Sequence, residues 1–131
     1  MELRIVNPWQ WQDALGFVQA IAVSGERRSL MCSGQTAMSA DGQPMYPGDM
    51  AAQVNVALDN LEIVLDEAGF KLADVVRLNY YVTDVDAFFA ASSTMNARLA
   101  QAGCRPTATL LGVSRLAFPE LMVEIEATAV V

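Results

Sequence analysis

The order of apolar and polar residues along the chain predicts six strands and two helices. Runs that alternate, or that are rich in β-branched and aromatic residues, predict the strands. The second and third strands are separated only by Ser24-Gly25-Glu26, which indicates an antiparallel hairpin. The six predicted strands are, in chain order, Glu2–Val6, Phe17–Val23, Ser29–Cys32, Val75–Thr83, Thr107–Val113 and Leu121–Val131.

Apolar residues spaced by three and four positions predict the two helices. The first begins after Pro47-Gly48-Asp49 and ends at Gly69, and the second runs from Val85 to about Ala102 with Asp84 as its N-terminal cap. Gly103 ends the second helix. The residues predicted to be buried are Val54, Leu58, Leu61, Leu65 and Ala68 in the first helix, and Phe88, Met95 and Leu99 in the second.

This order of elements predicts an α+β fold, a single domain over residues 1–131 with both helices on one face of a mixed sheet. The other face of the sheet needs a cover. Hydrophobic residues make up 53% of the chain and charged residues only 18%, which is high for a small isolated protein. We therefore expect copies of the chain to associate, and we expect Trp9 and Trp11 to cover a core edge or a subunit contact.

No apolar stretch reaches the roughly 20 residues of a membrane span, and no basic segment precedes an apolar signal core. A soluble cytoplasmic homo-oligomer with no membrane partner is expected. The net charge of −7 and the scattering of only eight Lys and Arg residues argue against a nucleic-acid partner. Cys32 and Cys104 fit no metal-ligand spacing and are expected to be buried free thiols.

The chain contains no histidine. Ser-His-Asp and Cys-His mechanisms, histidine-ligated zinc and histidine general bases are therefore excluded. Any chemistry must come from carboxylates, hydroxyls, arginine, the single Lys71, thiols, backbone groups or water.

Two charged residues interrupt the apolar C-terminal strands. Arg105 directly precedes Pro106, whose ring restricts the preceding residue to extended geometry, so its guanidinium is fixed at the start of a strand. It is either the binding group for a small carboxylic acid or a partner in an ordinary ion pair with one of the fifteen acidic residues, and the spacing alone favours the ion pair. Glu124 shares one face of the last strand with Glu126 and Thr128. It lies either at a solvated edge, the commoner meaning of this pattern, or in a subunit cleft where it can hold water and transfer a proton.

Two further positions have weaker signals. Ser33-Gly34 follows the third strand, where glycine permits a turn, a bulge or a close approach to a ligand. Thr107 carries a hydroxyl near Arg105 that can orient a substrate or water, although threonine is common in strands.

The order and spacing of four segments resemble the Rid family, also called the YjgF/YER057c/UK114 family. The segments are CSGQT at 32–36, AAQVNVALDNLEIVLDEAG, VVRLNYYVTDVDAF and CRPTATLLGVSRLAFPELMVEIEATAV. This resemblance covers nearly the whole chain. It implies a chorismate-mutase-like fold of the bacillus type, assembled as a homotrimer with an active site in each cleft between subunits. It further implies hydrolysis of imino and enamino carboxylic acids, such as 2-aminoacrylate and 2-iminopropanoate, to a 2-keto acid and ammonia without a metal or organic cofactor.

The resemblance also assigns roles to residues. Arg105 matches the arginine that binds the substrate carboxylate, Glu124 matches the glutamate that orients the attacking water, and Ser33 and Gly34 match the segment that lines the pocket. Thr107 and Phe17 complete the predicted substrate-binding set. Three positions depart from the usual family residues: Thr107 stands in place of a cysteine, Phe17 in place of a tyrosine, and Ser92 in place of an asparagine.

Three other functions remain open at this level. One is a deaminase dedicated to a single pathway, acting on an aminomuconate or aminoacrylate, and the size of the substrate pocket distinguishes it from the general imine deaminase. A non-catalytic module that binds a small keto or amino acid uses the same Arg105. A ribonuclease is disfavoured by the acidic charge and the lack of a basic groove.

Overall fold

A computed structural model describes residues 1–131 and contains six strands and two helices. Two single-turn 3₁₀ helices, Asp13–Leu15 and Leu72–Asp74, lie in the connections. The order of elements predicted from the sequence is confirmed. The elements are β1 (Glu2–Val6), β2 (Ala20–Ser24), β3 (Ser29–Thr36), α1 (Met50–Glu67), β4 (Val75–Val82), α2 (Val85–Gln101), β5 (Thr107–Gly112) and β6 (Val123–Val130).

The ends of both helices follow from local chemistry. The carboxylate of Asp49 accepts a hydrogen bond from the N–H of Ala52 at 3.1 Å and caps α1. Asp84 accepts from the N–H of Ala87 at 3.0 Å and caps α2 in the same way. Gly69 and Gly103, both with φ of +76°, then redirect the chain after the helices. These caps and stops are where the sequence predicted them.

The main sheet is mixed and has the strand order β3-β6-β4-β5. The pair β4–β5 is parallel, while β6 runs antiparallel to both β3 and β4. Both helices pack on one face of this sheet, so the predicted α+β class is confirmed. The strands β1 and β2 pair only with each other, as a separate antiparallel ribbon.

The predicted hairpin between the second and third strands is wrong. Strand β2 pairs with β1, and β3 pairs with β6 instead. Gly25 has a φ of +72°, and after it the chain turns towards the end of β6. There the N–H groups of Arg27 and Arg28 both donate to the carbonyl of Val131, at 2.8 and 3.0 Å. The short turn therefore leads from one sheet to the other rather than back along β2.

The core lies between the helices and the sheet. Leu58, Leu61 and Leu65 of α1 are fully buried, and Phe88, Met95 and Leu99 of α2 are nearly so. At about 1.5–3 kcal/mol for each large apolar side chain, this burial is the main stabilisation of the fold. Across the two helices, Arg98 forms ion pairs with Asp59 at 2.8 Å and Glu62 at 3.3 Å. Of the predicted stripe, only Ala68 is half-buried.

The opposite face of the sheet carries the polar residues of the alternating strands. Glu124, Glu126 and Thr128 of β6 lie on it and are half-buried, whereas their neighbours Val123, Ile125, Ala127 and Ala129 point into the core. Neither helix packs there, and Met31 of β3 is 81% exposed. This polar sheet face therefore presents the C-terminal glutamates to the outside of the chain.

Candidate functional site

Arg105 lies between the end of α2 and the first residue of β5. Its Nη2 donates to Asp13 Oδ1 at 3.2 Å, and its other N–H groups make no hydrogen bond within the chain. The two side chains are 54% and 48% exposed, so the pair contributes only about 0.2–1 kcal/mol to stability. The interpretation of Arg105 as an ion-pair partner is thus correct for the isolated chain, with four of its five donors unused.

The position of Asp13 is stabilised by the side-chain amides of two glutamines, one buried and one half-buried. Gln12 has no exposed surface, and its Nε2 donates to Asp13 Oδ1 at 3.4 Å. Its Oε1 accepts in turn from Gln19 Nε2 at 3.1 Å. These contacts hold the Asp13 carboxylate at the edge of β5, where it fixes one end of the guanidinium of Arg105.

Thr107, two residues after Arg105, has its hydroxyl engaged by the backbone. Thr107 Oγ1 donates to the carbonyl oxygen of Val76 at 2.7 Å. Its only proton is therefore used within the sheet, and the oxygen remains available as an acceptor. Next along the strand, Thr109 accepts from Arg77 Nη2 at 2.7 Å.

Glu124 and Gly34 are brought together on neighbouring strands. Thr36 of β3 faces Glu124 of β6, and the register between these strands shifts between Cys32 and Gln35, where Ser33 and Gly34 lie. A Cβ atom added to Gly34 would lie 2.5 Å from Cδ and 2.9 Å from Oε2 of Glu124. The missing side chain of Gly34 therefore leaves room for the carboxylate that packs on it. Of the reasons that the sequence left open, the register shift between β3 and β6 corresponds to the bulge, and a close approach to a ligand stays a prediction. Ser33 is exposed beside it.

Arg105 and Glu124 lie at opposite ends of the sheet. Thr107 is level with Arg77 on β4, whereas Glu124 is level with Tyr81, four residues further along that strand. With about 3.3 Å per residue along a strand and 4.8 Å between strands, the Cα atoms of Arg105 and Glu124 are roughly 20 Å apart. One small substrate cannot contact both side chains within a single chain.

Glu126 has the best hydrogen-bonded carboxylate of the polar sheet face. Its Oε1 accepts from Asn79 Nδ2 at 2.7 Å and from the hydroxyl of Tyr81 at 3.2 Å. Desolvation raises the pKa of Tyr81, and the negative charge of Glu126 raises it further. The Tyr81 hydroxyl therefore keeps its proton and remains a hydrogen-bond donor. Asn79 and Tyr81 were not predicted to belong to the site, although the alternation of side chains along β4 places both on the face that carries the glutamates.

A cavity of about 240 Å³ opens beside the segment that holds Arg105. It lies between residues 11–17, α2 and the strands β4 and β5, and nine of its twelve lining residues are hydrophobic. Five of these are aromatic: Trp11, Phe17, Tyr80, Phe88 and Phe89. We call it the aromatic cavity. Phe17, predicted as a substrate-binding residue, and Ser92 both line it.

Cys32 and Cys104 are free and buried, and burial raises the pKa of both thiols, that of Cys104 to about 12. Both are therefore protonated and poor nucleophiles at neutral pH. Neither helix is long and apolar enough to cross a membrane.

A single mixed sheet with both helices on one face places the protein in the class of small α+β proteins. The family model described as Endoribonuclease L-PSP matches residues 11–131. The chain therefore belongs to this family, the Rid or YjgF/YER057c/UK114 family.

Relatives and solved structures agree with this assignment. The chain is 33% identical over 85 residues to the 2-iminobutanoate/2-iminopropanoate deaminase of Escherichia coli; the match covers 64% of the chain and 66% of that protein, just under two thirds of its length. It is similar over the full length of both chains to the Rid family protein YyfB of Yersinia pestis, with 36% identity and a TM-score of 0.90. Escherichia coli TdcF, solved with bound serine, has 25% identity and a TM-score of 0.70, with 87% of each chain covered.

Proposed function

We propose that the protein hydrolyses reactive imino and enamino carboxylic acids of the 2-aminoacrylate and 2-iminopropanoate type to a 2-keto acid and ammonia. The observation that carries this proposal is the carboxylate of Glu124, packed on Gly34 at a polar sheet face that neither helix covers. The name of the Escherichia coli relative supports the reaction class. The serine bound to TdcF supports a small amino-acid skeleton as the ligand of this fold.

The chemistry needs two functions, which Arg105 and Glu124 supply. The free donors of the guanidinium bind the carboxylate of the substrate and orient its C=N bond. The carboxylate of Glu124 accepts a proton from water as the oxygen attacks the imine carbon, and it returns this proton to the imine nitrogen. In the resulting carbinolamine the hydroxyl proton moves to the nitrogen as the C–N bond breaks, so that ammonia leaves and the oxygen becomes the ketone of the 2-keto acid. Proton transfer of this kind contributes about 10²- to 10⁴-fold to the rate.

Because Arg105 and Glu124 are too far apart within one chain, the proposed site takes one residue from each of two subunits. A homotrimer with three equivalent clefts provides this arrangement, since each subunit gives its Arg105 to one cleft and its Glu124 to another. The polar sheet face and the high hydrophobic fraction of 53% favour such an assembly.

The first test replaces each residue separately. We expect Arg105→Ala to abolish the hydrolysis of 2-aminoacrylate, generated in the assay by a serine dehydratase, and Glu124→Gln to lower kcat more than it raises KM. Arg115→Ala and Glu120→Gln are matched controls in the loop before β6, where Arg115 bonds only to neighbouring carbonyls. Full activity of Arg105→Ala would remove the carboxylate-binding role.

The second test mixes the two inactive variants. Subunits with Arg105→Ala and subunits with Glu124→Gln are unfolded together in equal amounts and refolded. Each mixed trimer then contains one cleft with both intact residues, so about a quarter of the wild-type activity should return. No recovery from mixed trimers of confirmed composition would contradict a site shared between subunits.

A further inference from the structure

The aromatic cavity has an open, apolar mouth. Trp11 is 64% exposed, Phe89 is 52% exposed, and Leu15 is 47% exposed, and all three line the cavity. Inside, Tyr80 and Phe88 are buried with ring centroids 5.4 Å apart, and Trp11 packs edge-to-face against Phe17 at 6.0 Å. Large apolar side chains that surround an open concave surface favour an apolar occupant.

The polar side-chain groups of the cavity are few: the amide of Asn96 and the hydroxyls of Ser92 and Tyr80. The hydroxyl of Ser92 donates to the carbonyl of Phe89 within α2, at 3.0 Å. Burial raises the pKa of Tyr80, which therefore stays a neutral phenol. Since an apolar cavity of about 150 Å³ can hold a benzene molecule, a cavity of about 240 Å³ has room for an aromatic or branched aliphatic side chain.

The cavity and Arg105 are positioned by the same short segment. Asp13, which holds the guanidinium, lies between the cavity residues Trp11 and Leu15, within about 7 Å of each along the backbone. Val18, directly after Phe17, donates its N–H to the carbonyl of Pro106, the residue that follows Arg105, at 2.9 Å. A cation and an apolar cavity thus stand next to each other at the edge of β5.

We infer that the aromatic cavity receives the side chain of the substrate, and that the preferred substrates are imino acids with a large aromatic or branched apolar side chain. This inference rests on the proposed function, because it takes the carboxylate of the same substrate to be bound by Arg105. A small side chain such as a methyl group leaves the cavity unfilled and gains little from it.

The test compares imines made by an amino-acid oxidase from phenylalanine, leucine and alanine, with loss of the imine followed by trapping with semicarbazide. For the wild-type protein, kcat/KM should be about 10- to 100-fold higher for the phenylalanine imine than for the alanine imine. Ala108→Leu and Ser92→Leu each fill the cavity from a different wall. Both should lower the ratio of the two kcat/KM values towards one, whereas the control variant Arg115→Ala, outside the cavity, should keep the wild-type ratio.

The outcomes separate the inference from the proposed function. A preference of the wild-type protein for the alanine imine, or a preference that survives in both filled variants, would overturn the inference while leaving imine hydrolysis intact. If no imine is hydrolysed, the proposed function fails, and binding then decides the inference. In that case binding is measured in the Trp9→Phe variant, in which Trp11 is the single tryptophan. There 3-phenylpyruvate should quench the fluorescence at concentrations at least about 10-fold below those of pyruvate, and equal affinities would contradict an apolar side-chain site.

Discussion

The contact between Gly34 and Glu124 gives a sharp prediction for Gly34→Ala. The new Cβ would lie 2.5 Å from Cδ, 2.6 Å from Cγ and 2.9 Å from Oε2 of Glu124, whereas non-bonded carbon atoms prefer about 3.5–4.0 Å. One side chain or one strand must therefore move by about 1 Å. Gly34 does not have a positive φ, so alanine introduces no backbone strain at this position.

The size of the effect depends on which group moves. If Glu124 stays in place, overpacking of this kind costs about 1–3 kcal/mol in the free energy of unfolding. If Glu124 rotates away, the cost is nearer the roughly 0.5–1.5 kcal/mol of a distorted rotamer, but the carboxylate then leaves its position. In a Glu124→Ala background the clash is absent, and Gly34→Ala should be neutral or stabilising by about 0.4–1 kcal/mol through the unfolded chain.

The assay is a double-mutant cycle in urea with the wild-type protein, the two single variants and the double variant at one subunit concentration. We expect a coupling free energy of about 1–3 kcal/mol between the two sites, together with loss of imine hydrolysis in Gly34→Ala. Gly112→Ala is the control, since its Cβ would meet Val85 at 3.1 Å and should add independently to Glu124→Ala. Additivity of Gly34→Ala and Glu124→Ala within about 0.5 kcal/mol would refute the contact.

Three further predictions follow from single contacts. Asp13→Ala frees the guanidinium of Arg105 and should raise KM by about 1.4- to 5-fold, the equivalent of about 0.2–1 kcal/mol, without a change in kcat. Asp13→Asn keeps a hydrogen-bond acceptor and should raise KM less. An unchanged KM in Asp13→Ala would show that Asp13 does not position Arg105. The thiol of Cys104, with a pKa raised to about 12, should resist a disulfide reagent in the folded protein and react after unfolding. Because the unfolded thiol releases its proton above about pH 9, stability should fall there in the wild-type protein and less in Cys104→Ala, and equal pH profiles would contradict this linkage. Gln53→Leu leaves the N–H of Met122 and two carbonyls without their buried partner and should cost about 1–3 kcal/mol in urea unfolding, whereas a neutral effect would mean that water replaces the amide.

Local signals in the sequence were sufficient to predict the helices and strands. The pairing of the strands depends on residues far apart in the chain and was not predicted correctly. Asp49, Asp84, Gly69 and Gly103 act within a few residues of themselves, so the helix ends could be predicted from neighbours in the chain. The β2–β3 hairpin was wrong because an apolar run does not specify its partner strand, and the end of β6 competes for β3.

In the candidate site, too, features set by neighbouring residues were predictable and contacts between distant segments were not. The alternation of β6 placed Glu124 and Glu126 on one face, but it contained no information on Gly34, whose contact with Glu124 depends on a register shift between β3 and β6. The partner of Arg105 is 92 residues away in the sequence, and fifteen acidic residues were candidates. The aromatic cavity is lined by four segments of the chain, and no one of them has a sequence pattern that predicts it.

The geometry of the ion pair is compatible with the substrate-binding role that we propose for Arg105. Asp13 contacts only one terminal nitrogen, Nη2, and the remaining N–H donors of the planar fork are unused. An exposed arginine loses up to about 2 kcal/mol of side-chain freedom when it is fixed, and Asp13, itself held by the buried Gln12, removes part of that freedom before a ligand arrives. The pair therefore leaves the open edge of the guanidinium free for a ligand, as the site proposed between two subunits requires.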